Sequence, residues 1–198
     1  MIDYIEATHE YSVRGRVLPS VTRILVALGL LHTVDDESAL WRGRAVHEAC
    51  RMVDQGCLDR RSIDDLIAGY LESWERLYAV KKFRILTIER KVASVKMGCA
   101  GRYDRDVLMD GDRYILDLKT GEIQELPVRL QLVAYAEMKR LEPKNPGRNG
   151  QMGRIAVRLF SDGSMAAMER FNATDYQRDL RGFYSAVNLY GLKVTYGN

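Results

Sequence analysis

Gly101-Arg-Tyr-Asp104-Arg and Ile115-Leu-Asp117-Leu-Lys119-Thr-Gly121 are two arms separated by a turn that reads Asp110-Gly111. Asp-Gly between two β-type runs is a strong hairpin signal, because a type I′ turn needs positive φ at both central residues. With those two residues as the loop, Met109 pairs with Asp112, and counting back places Asp104 directly opposite Asp117. Facing Cβ atoms in such a pair lie about 5 Å apart, and like charges there repel. Two facing carboxylates are a poor structural choice and a good cation site. Strand period also puts Asp117 and Lys119 on one face and turns Leu118 to the other, into the core.

The tripeptide alone says little. Acid, any residue, lysine occurs also at Glu89-Arg-Lys91, Glu137-Met-Lys139 and Glu142-Pro-Lys144, which read as a charged strand, a solvated helix face and a loop. Only Asp117-Leu-Lys119 has a second carboxylate delivered opposite it by a tight turn. Such a site suits one or two Mg²⁺ ions held by Asp104, Asp117 and the carbonyl of Leu118, since hard divalent cations prefer oxygen ligands. Lys119 beside them would orient or deprotonate an attacking water, or neutralise developing phosphate charge. The plain alternative is a solvent-facing hairpin with ordinary surface charges.

Outward from the hairpin, the 198 residues fit one domain with a full core. The expected division is a helical part over 1–82 and an α/β catalytic core over 83–198. Hydrophobic content of 46%, charged content of 29% and a net charge of +3 are those of a soluble globular protein that tolerates, without demanding, a nucleic-acid partner. Cys50, Cys57 and Cys99 have no CxxC spacing, which argues for a reducing compartment and against a disulfide scaffold or a four-cysteine iron–sulfur cluster. No membrane span or signal-peptide pattern is read, so an intracellular, cytoplasmic protein is expected.

Helices are expected over 20–31, capped by Ser20, over Asp36 to Val53, and after a capping box at Ser62-Ile-Asp-Asp65. Ile63, Leu66, Ile67, Tyr70, Leu71, Trp74, Leu77 and Tyr78 give that third helix one apolar face. Residues 84–95, 99–109 and 113–118 read as strands, and Pro127 as the first residue of a helix to about Leu141. A second hairpin over 152–160 and 164–170 turns at Asp162-Gly163, and a last helix covers 173–190. The fold class is α/β, with a mixed sheet of about five strands flanked by helices.

These residues resemble the PD-(D/E)xK nuclease superfamily. Gly101-x-x-Asp104 with Ile115-Leu-Asp117-Leu-Lys119-Thr-Gly121 is similar to the RecB-type core, and Gln131-Leu-Val-Ala-Tyr135 to the Gln-x-x-x-Tyr helix of that branch. Gly43-Arg-Ala-Val-His47 resembles its Gly-x-x-x-His helix, and Pro19-Ser-Val-Thr22 the N-terminal segment of mitochondrial genome maintenance exonucleases and phage relatives. The resemblance implies a restriction-endonuclease-like core and a Mg²⁺- or Mn²⁺-dependent DNA exonuclease of recombination, repair or replication. It implies His47, Asp104, Asp117 and Lys119 as the catalytic group, with Gln131 and Tyr135 in support. It also implies His47 as a metal ligand, with Glu89 as a further acidic one. Linear DNA is the expected substrate, in a bacterium or a phage-infected host, with a recombination or replication protein as a partner. The competing readings are a structure-specific endonuclease on the same core and a catalytically silent DNA-binding domain.

Arg42, Arg44 and Arg51 near His47, Arg102 in the hairpin, and Lys144 and Arg148 in a Pro- and Gly-rich loop are the candidate phosphate contacts. Lys81, Lys82 and Arg84 form another basic cluster. A solvated face is the default reading for each. Gly43, one turn before His47, is expected to open space on its helix face. The tyrosines and tryptophans sit mainly at helical core spacings and suggest no base-stacking platform.

Overall fold

Ahead of the first helix lies a small antiparallel sheet of β1 (Ile2–Ile5), β2 (Glu10–Val13) and β3 (Arg16–Leu18). The expected helical character of residues 1–82 is corrected here, since the first part of that stretch is β. The computed structural model describes residues 2–5, 10–32, 36–142 and 150–197. Three helices follow, α1 (Val21–Ala27), α2 (Glu37–Asp54) and α3 (Asp65–Lys81). Ser20 caps α1 by accepting from the Arg23 N–H at 3.0 Å, and Asp36 caps α2 through Ser38 at 2.9 Å. Side-chain caps of this kind contribute about 1 kcal/mol each.

The start of α3 differs from expectation. Ser62 ends a short 3-10 turn, and Asp64 is the cap, accepting from Leu66 at 2.9 Å. The inner face of α3 is Ile67, Tyr70, Leu71, Trp74 and Leu77, whereas Leu66 (68% exposed) and Tyr78 (42%) turn outward. Starting the helix two residues later leaves Leu66 in the first turn, outside the buried stripe.

The main sheet runs β4 (Arg84–Ser94), β5 (Cys99–Met109), β6 (Asp112–Lys119), β7 (Gly153–Arg158) and β8 (Ala167–Phe171), each beside the next. All neighbours are antiparallel except β6 and β7, which are parallel and joined by the crossover helix α4 (Glu125–Arg140). Pro127 is the third residue of α4, not the first, but still within the turn whose N–H groups lack intrahelical partners. The link from β7 to β8 is longer than a tight hairpin loop. A final helix, α5 (Tyr176–Tyr196), starts later and runs further than the sequence suggests.

One apolar layer packs α1, α4 and α5 on the sheet, including Ile24, Leu132, Val133 and Phe183. The opposite layer packs α2 and α3, including Val46, Cys50, Trp74 and Leu77, against Val107, Leu116, Leu118 and Ile155. The sheet is thus covered on both faces, as its apolar strand interiors require. No helix among the described residues is long and apolar enough to cross a membrane.

A close approach fixes α3. A Cβ on Gly69 would lie 1.8 Å from the Ser161 carbonyl oxygen, so only glycine lets α3 reach the β7–β8 connection. Gly69→Ala is expected to cost about 1–3 kcal/mol in urea unfolding, the usual range for overpacking. Wild-type stability in that variant would contradict the packing described.

Candidate active site

The β5–β6 hairpin forms with the expected register. Asp110 (φ 54°) and Gly111 (φ 81°) make the turn, and Met109 pairs with Asp112. The paired ladder runs back to Arg105 opposite Leu116, so Asp104 and Asp117 occupy the next rung. There the ladder opens. In place of a backbone partner, the Leu118 N–H donates to Asp104 Oδ2 at 2.7 Å. One residue's N–H and C=O leave a strand on the same side, so the Leu118 carbonyl also faces β5. The Leu118 side chain is fully buried against the α2–α3 layer, while Lys119 on the other face reaches Gln131 of α4.

Side chains from α2, β6, α4, α1 and β4 converge on this notch. From α2, His47 Nδ1 lies 3.4 Å from Asp104 Oδ1. From β6, Lys119 Nζ lies 2.7 Å from Asp117 Oδ2 and donates to Gln131 Oε1 at 3.1 Å. On α4, Gln131 Nε2 reaches the Tyr135 hydroxyl at 3.5 Å, and the Thr22 side chain of α1 hydrogen-bonds the same tyrosine. From β4, Glu89 brings a carboxylate near Asp104. One ligand atom from each of His47, Glu89 and Asp104 lies within 4.8 Å of the others.

Glu89 owes its place to a distorted strand. It holds φ of +48° in the middle of β4, a conformation that costs a non-glycine residue of order 1–3 kcal/mol. The β4–β5 register also slips between Ile85 and Thr87. The strained residue is held by Arg102 Nε at 2.9 Å and by Arg105 Nη1 at 3.5 Å. Arg105 is fully buried, tied to Asp54 at 2.5 Å, with its guanidinium over the Trp74 ring. Sequence reading overlooked Arg105 and Asp54, because nothing in their spacing ties an α2 carboxylate to a β5 arginine.

Burial resists the charge on Asp104, yet His47, the Leu118 N–H and Arg105 outweigh it and hold the carboxyl at about 2. Asp117 moves the other way, raised by burial and by Asp104 despite Lys119. Glu89 is raised as well, by burial and by Asp104, against Arg102, His47 and Arg105. Burial lowers the pKa of Lys119, but Asp117 more than reverses it and keeps the amine protonated. Asp117 Oδ2 is buried without an aligned hydrogen bond. The donors gathered here, mostly carboxylate oxygens with one imidazole, suit a hard divalent cation such as Mg²⁺ or Mn²⁺.

A cleft of about 830 Å³ gathers His47, Asp104, Asp117, Leu118, Lys119, Gln131 and Tyr135. Two similarities bear on this geometry. The model of the PD-(D/E)XK nuclease superfamily matches residues 35–187. The chain belongs to that superfamily. The chain superposes on the crystal structure of a "Putative exonuclease" from Eubacterium rectale with a TM-score of 0.55 at 10% identity. That match covers 85% of this chain and 71% of the other and shows the shared fold. SSO0001 is 15% identical over 85% of this chain and 84% of its own, but its TM-score of 0.33 adds nothing. No curated protein matches the nuclease.

Arg44, Arg51 and Arg102 line a second cavity with Glu89 and Glu48, and His47, Thr22 and Arg102 border both cavities. Arg51 is forked onto Glu48. Arg42 lines neither cavity, and neither do Lys81, Lys82 and Arg84. Lys144 and Arg148 lie outside the described residues. Gly43 lines the second cavity beside His47, and a Cβ there would meet only Thr120 Oγ1, at an ordinary 3.7 Å. Gly101 is more crowded, since a Cβ there would sit 2.6 Å from the Tyr135 ring. Gly43→Ala should therefore fold normally and gain up to about 1 kcal/mol of helix stability. Destabilisation on chemical unfolding would contradict this.

Burial alone would lower the pKa of His47, but Asp104, with Asp117 and Glu89 behind it, carries it above the ordinary 6.5. A histidine raised in the folded state contributes stability that is complete below its unfolded pKa and fades as pH rises through the folded one. NMR titration of the metal-free nuclease is expected to place the His47 midpoint above 6.5, and Asp104→Asn to lower it. A midpoint unmoved by Asp104→Asn would contradict the pairing.

Proposed function

We propose that the chain is a divalent-metal-dependent deoxyribonuclease that hydrolyses phosphodiesters from DNA ends. The observation that carries this reading is one notch holding three carboxylates, an imidazole and a lysine against a cleft. An isolated surface hairpin would have no reason to bury Asp104 and Asp117 to 7% and 3% exposure.

His47, Glu89, Asp104, Asp117 and the Leu118 carbonyl would hold the metal, which supplies Lewis-acid polarisation of the phosphoryl oxygen and activation of water. Asp104, kept ionised by His47 and the Leu118 N–H, is the fixed anchor of the set. Lys119, protonated and directed by Gln131, places a positive charge beside Asp117 where the phosphorane-like charge develops. Tyr135 and Thr22 hold Gln131 and so fix the lysine. Arg44 and Arg102 line the continuation of the cleft and would receive flanking phosphates. The exonuclease assignment draws on the name of the Eubacterium rectale relative and on the cleft, which the N-terminal strands border on one side.

Asp117→Asn and Lys119→Ala are each expected to lower Mg²⁺- or Mn²⁺-dependent cleavage of end-labelled linear DNA by about 100-fold or more, with unchanged circular dichroism. Covalently closed circular DNA should survive the wild-type protein. Near-normal activity of either variant would overturn the assignment of those residues, and cutting of the closed circle would make the enzyme an endonuclease.

A further inference from the structure

A fully buried guanidinium braces the notch from behind. Arg105 Nε lies 2.5 Å from Asp54 Oδ2 of α2. Its Nη1 donates to the Asp104 carbonyl of β5 at 2.9 Å and reaches Glu89 Oε1 of β4 at 3.5 Å. One side chain thus joins three elements and touches two of the residues proposed to hold the metal. The β4–β5 ladder sets Ile88 opposite Arg105 and Arg90 opposite Tyr103, so Glu89 and Asp104 share the rung between. Asp54 is itself fixed, since its other oxygen accepts from Trp74 Nε1 at 2.9 Å and its side chain is 2% exposed. Arg105 Nη2 is buried without a hydrogen bond among the described residues.

We propose that Arg105, anchored by Asp54, is a positioning residue that holds Glu89 beside Asp104 for the cation. The inference rests on the divalent-metal reading of the notch and names the residues behind it that set its affinity. Stability does not call for this pair, because apolar residues of similar volume fill a core as well as a buried ion pair does. The unbonded Nη2 is a further cost that an apolar pair would not carry. Charge does not call for it either. A guanidinium is permanently cationic and repels a divalent ion nearby, so through space it opposes the binding that Glu89 and Asp104 provide. What the arginine supplies is geometry. Its planar fork presents Nε to Asp54 and Nη1 to Asp104 and Glu89 in fixed directions, which a lysine ammonium cannot copy. Glu89 needs such a hold because it stands at φ of +48° within a strand, a conformation kept only by its surroundings. Arg102 binds the other oxygen of Glu89 at 2.9 Å, but its side chain is 54% exposed, whereas Arg105 is tied into the core.

Mn²⁺ binding to the DNA-free protein, read from the paramagnetic resonance of the free ion, tests this in the wild type, Arg105→Lys, Asp54→Asn and Glu89→Gln. Urea unfolding of each is measured beside it. Arg105→Lys keeps the charge and loses the fork. Asp54→Asn keeps the arginine and an acceptor for Trp74 Nε1, and it carries the test if the first variant does not fold. Each of the two is expected to bind Mn²⁺ about 10- to 100-fold more weakly in the folded protein, the usual effect of losing a group that orients a metal ligand. Glu89→Gln should lose at least as much. Unchanged Mn²⁺ affinity with a lowered unfolding midpoint would make the pair structural and overturn the proposal. A greater loss in Arg105→Lys than in Glu89→Gln, or full affinity in Glu89→Gln, would overturn it as well. Absence of Mn²⁺ binding in the wild type would sink the metal reading and this inference with it. Wild-type binding that Arg105→Lys and Asp54→Asn leave intact would sink the positioning role alone, so the two failures are distinguishable.

Discussion

The 2.7 Å hydrogen bond from the Leu118 N–H to Asp104 Oδ2 is the contact on which the site depends. It takes the place of a rung in the β5–β6 ladder, so the hairpin opens at the level of Asp104 and Asp117. The same carboxylate meets His47 with its other oxygen, which ties α2 to the hairpin. A buried carboxylate is tolerable only when such partners satisfy it. Asp104 is thus at once the joint between three elements and the most firmly ionised acid in the notch.

Further contacts brace this joint on both sides of the sheet. Toward α3, buried Arg105 bridges Asp54 and Glu89 and lies over Trp74, and removal of one partner from such a buried pair typically costs about 3–5 kcal/mol. Toward α4, the run Thr22, Tyr135, Gln131, Lys119, Asp117 carries orientation from α1 to the cleft. Gly101 leaves room for the Tyr135 ring in that run. Core packing and site geometry are therefore the same contacts here. The crossover helix α4 that joins β6 to β7 also supplies the groups that aim the lysine.

Most of the frame was legible in the sequence because its determinants are local. The Asp110-Gly111 turn demands positive φ, alternation then fixes the register, and the facing aspartates follow. His47, Gln131 and Tyr135 sit on other elements, and only the resemblance to a known family brought them to the hairpin. Glu89 reaches the site through a left-handed residue within β4, which strand period cannot show. The N-terminal sheet was missed because its turn, Arg14-Gly15 with φ of 53° and 79°, has arginine where asparagine or aspartate usually marks the type. That omission also hid Tyr4 and Tyr11, whose position at the cleft comes from strands. The cap of α3 was misplaced because Ser62 and Asp64 both satisfy a cap's chemistry, and only the preceding 3-10 turn decides between them.

We infer that the notch is a divalent-cation site built around Asp104. Isothermal calorimetry of Mn²⁺ binding to the DNA-free protein tests it most directly. Saturable binding that Asp104→Asn abolishes is expected, while Arg42→Ala, at a residue that lines neither cavity, leaves it unchanged. Absence of Mn²⁺ binding to the wild-type protein, or undiminished binding to Asp104→Asn, would contradict it.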